Sequence, residues 1–448
     1  MKIFGLLLLA ASCAAAQSMP SMPGMQMSSS ADAAITSAPV SADPLAALAG
    51  RMPVTLEQFL TMARSHNPTL RAAQARVAER AGEAKQASLW PNPSVGYESD
   101  QIRGGSYGGG EQGGFVQQTI PLGGKMRLRG DVYRARQSVD AQQARVQQER
   151  VEGDIETGFY AALELQQEVA LRRRLQAVAA DAVETAKQLA NVGQADAPDI
   201  LQAEVEEQQA ALDTQTTAQQ YLAACHSLSA MAGMPEMAPA PLAGELETLP
   251  APPPTAESLV RGSPAVEQAD ALVRASEALL RSARRDVIPD LTLRAGEQWN
   301  GELVRQNPNV AAGPQSFASV SIDLPLWNRN QGAIAAAQAA VQRAQANAEG
   351  VRLSVQRNAA PLVAQYDAAT MAAVRYRDQL LPLAERAYTL YRDRYREMAV
   401  AYPQVLVSQR TLFELQLHYL RALGEAQEAA ARLRHSTLAG ALDMQALP

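Results

Sequence analysis

The sequence predicts a mainly α protein with a small β part, in which a long helical hairpin and a pair of strands each occur twice. Ala, Gln, Glu and Arg dominate the composition and aromatic residues make up only 5%, as is typical of long helices. Landmarks also recur in the same order in the two halves, which indicates an internal repeat. Pro121 is expected to close a strand and Pro198 to start a helix in the first half. Pro325 and Pro403 match them in the second half.

The bulk properties exclude several function classes. The chain has 448 residues, a net charge of −6 and no basic stripe, so nucleic acid is not expected as a partner. We find no motif context for a Ser/His/Asp set, no phosphate-binding glycine loop and no metalloprotease histidine pair. We therefore expect no enzymatic activity and no cofactor. After Cys13 only Cys225 remains, and one thiol cannot form an intrachain disulfide.

The N-terminus indicates export from the cytoplasm. Lys2 is followed by a short apolar run that gives way to small residues. One interpretation is that residues 1–16 are a signal peptide, cleaved before Gln17. The other is a lipoprotein signal, because the Ala-Ser-Cys sequence that ends at Cys13 resembles a lipobox. In that case the signal ends before Cys13, which becomes lipidated.

Residues 17–50 are predicted to form a flexible tether rich in Met, Ser and Pro. Thioethers bind soft ions such as Cu(I) or Ag(I), so a metal site is one interpretation of Met19, Met22, Met25 and Met27. The other interpretation is a low-complexity leader in which methionine is incidental. It is favoured because no cysteine or histidine joins the cluster.

The rest of the chain divides into two repeats. The predicted segments are a first repeat at 51–240, a Pro-rich linker at 241–254, a second repeat at 255–440 and a C-terminal tail at 441–448. The first repeat is expected to be helical over residues 54–89, because apolar residues recur there at helical spacing, with a helix start at Pro68.

Alternating apolar and polar residues predict one strand pair in each repeat. The predicted strands cover residues 94–99, 114–120, 291–299 and 317–324. A loop is expected between the last two strands, because that segment holds Pro308 and Pro314. No segment after the export signal has the roughly 20 unbroken apolar residues that a membrane helix needs. Four strands are too few for a closed membrane sheet, whereas three copies of the chain would supply twelve.

Long helical tracts follow each strand pair. They run over residues 125–191 and 331–397, and at 1.5 Å per residue each would be about 100 Å long. Short breaks separate these tracts from second helices over residues 198–232 and 403–434, so each repeat forms a helical hairpin. Pro361 and Pro382 are expected to interrupt and kink the second long helix.

Three local sequences and the ordered landmarks carry a family resemblance. They are Leu-Trp-Pro-Asn-Pro-Ser-Val at 89–95, Thr-Ile-Pro-Leu-Gly-Gly-Lys at 119–125, and the segment from Leu381-Pro382 through Tyr395 to Gln409. The chain resembles the TolC family of outer membrane efflux proteins, and most closely its heavy-metal branch, of the CzcC and CusC type. The resemblance covers nearly everything after residue 50.

The resemblance implies a homotrimer located in the outer membrane and extending into the periplasm. The hairpins would form a trimeric α-barrel, and the strands a 12-stranded outer membrane β-barrel in contact with lipid. The implied partners are a periplasmic adaptor (membrane fusion protein) and an inner membrane RND-type pump, which together make a tripartite proton-driven efflux system. The expected cargo is heavy-metal cations, and the alternative is drugs or other organic compounds. A less favoured function is a pore-less periplasmic coiled-coil adaptor.

The resemblance also places candidate sites at the two hairpin tips. The residues expected to contact the adaptor are Gly193, Asp196, Asp199, Met398 and Tyr402. The positions that match the family's acidic gate ring are Gln404 and Val407, which carry no charge, so the hypothesis for the gate is a substitute ring formed by Asp196 and Asp199. The two aspartates also fit an ordinary helix N-terminus beside Pro198, where the helix dipole favours acidic side chains. Cys225-His226 is interpreted as a buried thiol beside a histidine rather than as a metal pair, because no second Cys or His is nearby.

Overall fold

The predicted duplication organises the structure. A computed structural model describes residues 44–48, 50–100, 110–192, 196–304, 307–397, 399–400 and 402–443. The first half contains β1 (Val54–Thr55), α1 (Leu56–His66), α2 (Pro68–Ala87), β2 (Ser94–Asp100), β3 (Glu111–Ile120), α3 (Lys125–Asn191) and α4 (Ala197–Met231). The second half contains β4 (Leu242–Ala243), α5 (Ala256–Gly262), α6 (Pro264–Arg285), β5 (Leu291–Val304), β6 (Asn307–Ile322), α7 (Gln331–Arg375), α8 (Leu381–Arg396) and α9 (Tyr402–Arg434).

The opening segment is helical, as predicted for residues 54–89, and consists of two helices, the second of which starts at the predicted Pro68. Asn67 separates them, because the residue before a proline is disfavoured in helical geometry and Pro68 follows. Asn67 is fully buried and caps α2, since its side-chain oxygen accepts the Thr69 N–H at 2.8 Å. Its amide nitrogen donates to the carbonyl of Met231 at 2.7 Å. This hydrogen bond holds the junction of α1 and α2 against the end of α4.

The four predicted strands form one antiparallel sheet in the order β2–β3–β5–β6. The two strand pairs of the duplication therefore lie side by side, joined by the pairing of β3 with β5. The loop predicted around Pro308 and Pro314 is wrong, because β6 begins at Asn307. Proline is tolerated there because β6 is an outer strand of the sheet formed by a single chain.

The first long helix is confirmed: α3 spans Lys125–Asn191, 67 residues. The second tract is interrupted by a five-residue π-helical turn (Tyr376–Leu380), which ends two residues before Pro382. The interruption predicted at Pro361 is wrong, because α7 continues through that residue. None of the helices among the described residues is long and apolar enough to cross a membrane.

The main core lies against the middle of α3. Val151, Ile155, Phe159 and Leu163 recur every four residues and are at most 2% exposed. Phe59 of α1 meets Phe159 edge-on, with ring centroids 6.3 Å apart. Leu228 of α4 and Leu423 of α9 belong to the same cluster. One stripe of α3 thus joins elements from both repeats.

The linker over residues 241–254 packs onto this core. It contains no helix, and its one short strand, β4, pairs in parallel with β1. Gln166 of α3 fastens it, because its side chain both donates to the carbonyl of Leu242 (3.0 Å) and accepts the N–H of Leu242 (2.7 Å). The hydroxyl of Tyr221 donates to the same Gln166 oxygen at 2.7 Å.

The segment after α9 is held on α3 by an ion cluster. His435 lies between Glu149 (2.7 Å) and Glu156 (2.9 Å), and Arg434 also contacts Glu156. Further along the chain, the backbone N–H groups of Gly440 and Ala441 donate to Asp154 Oδ2 at 2.8 and 2.6 Å. Burial alone would lower the pKa of His435, but the hydrogen bonds to the two glutamates raise it to about 9.

We predict that this cluster makes stability fall with rising pH. The ordinary pKa of histidine is 6.5 and that of folded His435 is about 9, so the folded chain holds this proton more tightly. The stabilisation is fully present below about pH 6.5 and is lost as the pH rises through 9. His435→Ala should lower the free energy of unfolding by roughly 1–3 kcal/mol at pH 6.5 and should flatten the dependence of the melting temperature on pH.

The exposed His226 of α4 provides the control. His226→Ala should leave both the melting temperature and its pH dependence unchanged in detergent-solubilised protein. If His435→Ala keeps the wild-type slope between pH 6.5 and 9, His435 does not carry the pH dependence.

Candidate functional site

The first hairpin tip carries both predicted aspartates on its surface. Asp196 precedes α4 and Asp199 lies in its first turn, and both are exposed. The Asp196 N–H donates to Asp199 Oδ2 at 3.1 Å, and the Asp199 N–H donates to the Asp196 carbonyl at 3.0 Å. The Asp199 carboxylate thus stabilises the start of α4 while facing solvent. Gly193 lies outside the described residues.

The second tip presents an apolar groove between α8 and α9. Tyr402 begins α9, Gln404 is exposed, and Met398 lies outside the described residues. The groove has a volume of about 420 Å³. Its lining consists of Ala384, Ala387, Tyr391, Pro403, Gln404, Val407, Ser408 and Thr411. Sequence reasoning missed the groove, although the small residues one helical turn apart at 384 and 387 were a readable signal.

Apolar side chains line exposed stripes beside both tips. On α4, Leu201, Val205 and Leu212 lie close together around the helix axis and are 57–63% exposed. On α8, Leu383 and Leu390 lie two turns apart, at 62% and 63% exposed. Such contiguous apolar surface on an isolated chain is typical of faces that contact other protein.

The sheet has one apolar face and one polar face. Successive side chains of a strand point to opposite faces, and residues paired across strands share a face. The apolar face carries Val95, Tyr97, Val116, Leu293, Trp299 and Val320, all more than a third exposed. The other face carries mainly Ser, Thr, Gln, Asn and charged residues. Both faces lie open in the single chain, which fits a sheet with lipid on one side and water on the other.

A carboxylate cluster lies where the two hairpins meet. Glu164 of α3 packs directly against Gly424 of α9, where any side chain larger than glycine would overlap its carboxylate. Burial raises the pKa of Glu164 to about 8, and the charges of Glu428 and Glu168 add to the rise, while Arg421 opposes it. This cluster could not be found from sequence, because it depends on how α3 packs against α9.

The methionines predicted as metal ligands stay a prediction. Met19, Met22, Met25 and Met27 lie outside the described residues, as does Cys13. Within the part of the chain that is described, no group of three or more His, Cys, Asp or Glu side chains is arranged to hold a metal ion. Cys225 is a buried thiol, as predicted, and burial raises its pKa.

The duplicated hairpins and the two-faced sheet correspond to a known family. The family model described as outer membrane efflux protein matches residues 59–234 and 256–437, one block in each half. The chain belongs to the outer membrane efflux protein family. This confirms the resemblance seen in the sequence, and it places the protein in the outer membrane with an extension into the periplasm.

Individual relatives are similar along most of their length. The chain is 28% identical over 386 residues to the cobalt-zinc-cadmium resistance protein CzcC of Cupriavidus metallidurans, covering 85% of this chain and 89% of that protein. It is 29% identical over 333 residues to the nickel-cobalt-cadmium resistance protein NccC of Alcaligenes xylosoxydans xylosoxydans, with 70% of each covered. The solved structure of the transmembrane channel protein CusC has the same fold, with a TM-score of 0.69, 16% identity and coverage of 86% and 92%.

We predict that Glu164→Gln stabilises this efflux protein in a pH-dependent way. The ordinary carboxyl pKa is 4.5 and that of folded Glu164 is about 8. Between these values the unfolded chain releases the proton while the folded chain keeps it, so the stability of the wild type falls as the pH rises through this window. Because glutamine has no such proton, the variant should melt at the higher temperature at pH 8. The gain should be smaller at pH 5.

The exposed Glu385 of α8 is the matched control. Glu385→Gln should leave the melting temperature unchanged at both pH values. A Glu164→Gln protein that is no more stable than the wild type at pH 8 would show that Glu164 is ionised in the folded chain.

Proposed function

We propose that three copies of this chain form a channel that conducts exported substrate across the periplasm and the outer membrane. The carrying observation is the four-stranded sheet, which has one apolar face and one polar face and ends in the outer strands β2 and β6. Pairing β6 of each copy with β2 of the next would satisfy both edges and close a 12-stranded β-barrel. The apolar face would then contact lipid and the polar face would line the lumen.

The helical hairpins would form a trimeric α-barrel below this sheet. A closed ring of three copies covers one surface of each chain with a different surface of its neighbour. The exposed stripes at Leu201, Val205 and Leu212 of α4, and at Leu383 and Leu390 of α8, supply apolar surface for such contacts. Helices as long as α3 would extend the lumen far beyond the membrane.

The hairpin tips are proposed to meet a periplasmic adaptor, which connects the channel to an inner membrane RND-type pump driven by protons. The proposed contact residues are Gly193, Asp196, Asp199, Met398 and Tyr402. The apolar groove beside Gln404 offers the adaptor a place to pack. The gate is proposed to form at the same end, from Asp196, Asp199 and Gln404.

Heavy-metal cations are the proposed cargo. The support is the similarity to CzcC and NccC, whose names describe resistance to cobalt, zinc, cadmium and nickel. Export of drugs or other organic compounds through the same channel is the alternative. A pore-less periplasmic adaptor is disfavoured by the membership of the efflux protein family.

We predict that deleting the gene makes its host sensitive to metals and leaves its resistance to organic compounds unchanged. Growth should be measured for wild type, deletion and complemented strains across Co, Zn, Cd and Ni salts, across Cu and Ag salts, and across a panel of dyes and antibiotics. Sensitivity confined to Co, Zn, Cd or Ni supports the proposed cargo. Sensitivity to organic compounds alone supports the alternative.

The same strains test the methionine-rich tether. If copper or silver sensitivity dominates, complementation with Met19, Met22, Met25 and Met27 all replaced by leucine should fail on those two metals only.

Heat-resistant trimers in the outer membrane fraction are expected from the complemented strain, and a soluble periplasmic monomer would contradict the channel.

We predict that the charge of Asp199 influences the gate. Asp199→Asn keeps a side-chain oxygen that can accept the Asp196 N–H, and it removes the charge. Asp199→Ala removes both. Single-channel recordings of trimers in planar bilayers should show a reduced preference for cations in both variants. If Asp199→Asn conducts like the wild type and only Asp199→Ala changes trimer stability, Asp199 acts as a helix cap and not at the gate.

A further inference from the structure

A row of alternating glycine and phenylalanine crosses the polar face of the sheet. Gly96 of β2 pairs with Phe115 of β3, Phe115 pairs with Gly296 of β5, and Gly296 pairs with Phe317 of β6. The row therefore reads Gly–Phe–Gly–Phe across the four strands. Pairing of β6 with β2 of a neighbouring copy would continue the alternation around a closed ring.

The glycines allow the phenyl rings to lie flat on the sheet. A Cβ added at Gly96 would lie 2.5 Å from Cζ of Phe115, and one added at Gly296 would lie 2.8 Å from Cζ of Phe317. Each ring thus covers the backbone of the neighbouring strand. Both repeats contain one such glycine–phenylalanine pair, although the face is otherwise polar. The row is therefore a continuous aromatic platform and not a set of scattered apolar residues.

Arg294 lies across this platform. Its guanidinium carbon is 3.9 Å from the ring centroid of Phe115 and 5.5 Å from that of Phe317, within the range of cation–π attraction. Its side chain reaches across the phenylalanine row to the carboxylate of Glu98 on β2, with which it forms an ion pair. The aromatic rings below and the carboxylate beside it hold the guanidinium over the sheet.

Arg294 is also the only basic residue within β2, β3, β5 and β6 as the structure describes these strands. Glu98, Asp100 and Glu111 share its face of the sheet. The carboxylate of Glu111 accepts hydrogen bonds from the side chains of Gln298 (2.7 Å) and Asn300 (2.9 Å). The polar face therefore carries an acidic excess that a single guanidinium partly offsets.

We infer that the Arg294–Glu98 pairs, seated on the phenylalanine platform, form a charge-selective ring in the lumen at the membrane end of the channel. This inference rests on the proposed function, because only the closed trimer makes the polar face a lumen. Rings of fixed charge set the ion preference of a pore. Arg294 reduces the attraction that the acidic lumen exerts on cations. Because it forms an ion pair with Glu98, that carboxylate does not bind a passing cation.

A packing role alone would make a different prediction. If Arg294 only stabilised the sheet, its replacement would change trimer stability and leave the ion preference unchanged. The ion preference therefore separates the two roles, and it should be measured on intact trimers in planar bilayers under a KCl gradient.

The test compares three charge variants with the wild type. Arg294→Gln removes three positive charges from the ring and should raise the ratio of K⁺ to Cl⁻ permeability roughly twofold or more. Glu98→Gln should lower the ratio by a similar factor. Arg294→Lys keeps the charge and should stay near the wild-type ratio. Glu297→Gln is the matched control, since Glu297 lies on the same strand but on the opposite face, and it should not alter the ratio.

Two outcomes would overturn the inference, and only the second would also overturn the proposed function. If wild-type trimers conduct but Arg294→Gln and Glu98→Gln keep the wild-type permeability ratio, the charge ring is wrong and the channel stands. If the wild type forms no conducting trimers, the proposed function and the ring both fail. If Arg294→Gln does not assemble, Glu98→Gln decides the question alone.

Discussion

The constraint on which the rest of this structure depends is the need of the outer strands for hydrogen-bond partners. A four-stranded sheet leaves backbone groups unpaired along β2 and β6, and no such group is tolerated in lipid. In the proposed trimer, repetition around a ring would satisfy both edges without adding any element to the chain. It would also require one face of the sheet to be apolar and the other polar, and the alternation of Val95, Gly96 and Tyr97 in β2 fits that division.

The same constraint accounts for how the helices pack. Because the sheet contains strands of both repeats, the two helical hairpins that continue from it must run side by side. The buried stripe from Val151 to Leu163 of α3 meets this need by packing against α1, α4, the linker and α9 in a single core. Away from that core the hairpins keep apolar stripes at the surface, which the proposed trimer would cover.

Much of the fold was predictable because local sequence marks its boundaries. Lys125 follows two glycines in left-handed geometry, and α3 begins there as predicted. The errors arose where tertiary context overrides local preference. Pro308 and Pro314 resemble a loop but lie in an outer strand, and Pro361 remains inside a helix.

The candidate sites divide in the same way. The aspartates of the first tip could be located from sequence, since Pro198 marks a helix start. The Glu164 cluster and the Arg294 ion pair could not, because each depends on contacts between segments far apart in the chain. Glu98 and Arg294 lie nearly 200 residues apart, and only the pairing of β3 with both β2 and β5 brings them together.

The duplication explains why this ion pair is distinctive. When the two repeats are aligned on their glycines, Gly96 matches Gly296, Ser94 matches Arg294, and Glu98 matches Gln298. The repeats thus kept the platform of glycine and phenylalanine but diverged at the charged positions, one supplying the cation and the other the anion. A trimer of duplicated chains would have nearly sixfold symmetry at the platform and only threefold symmetry in its charges. Charge placement on the polar face could therefore change while the backbone of the sheet stayed the same.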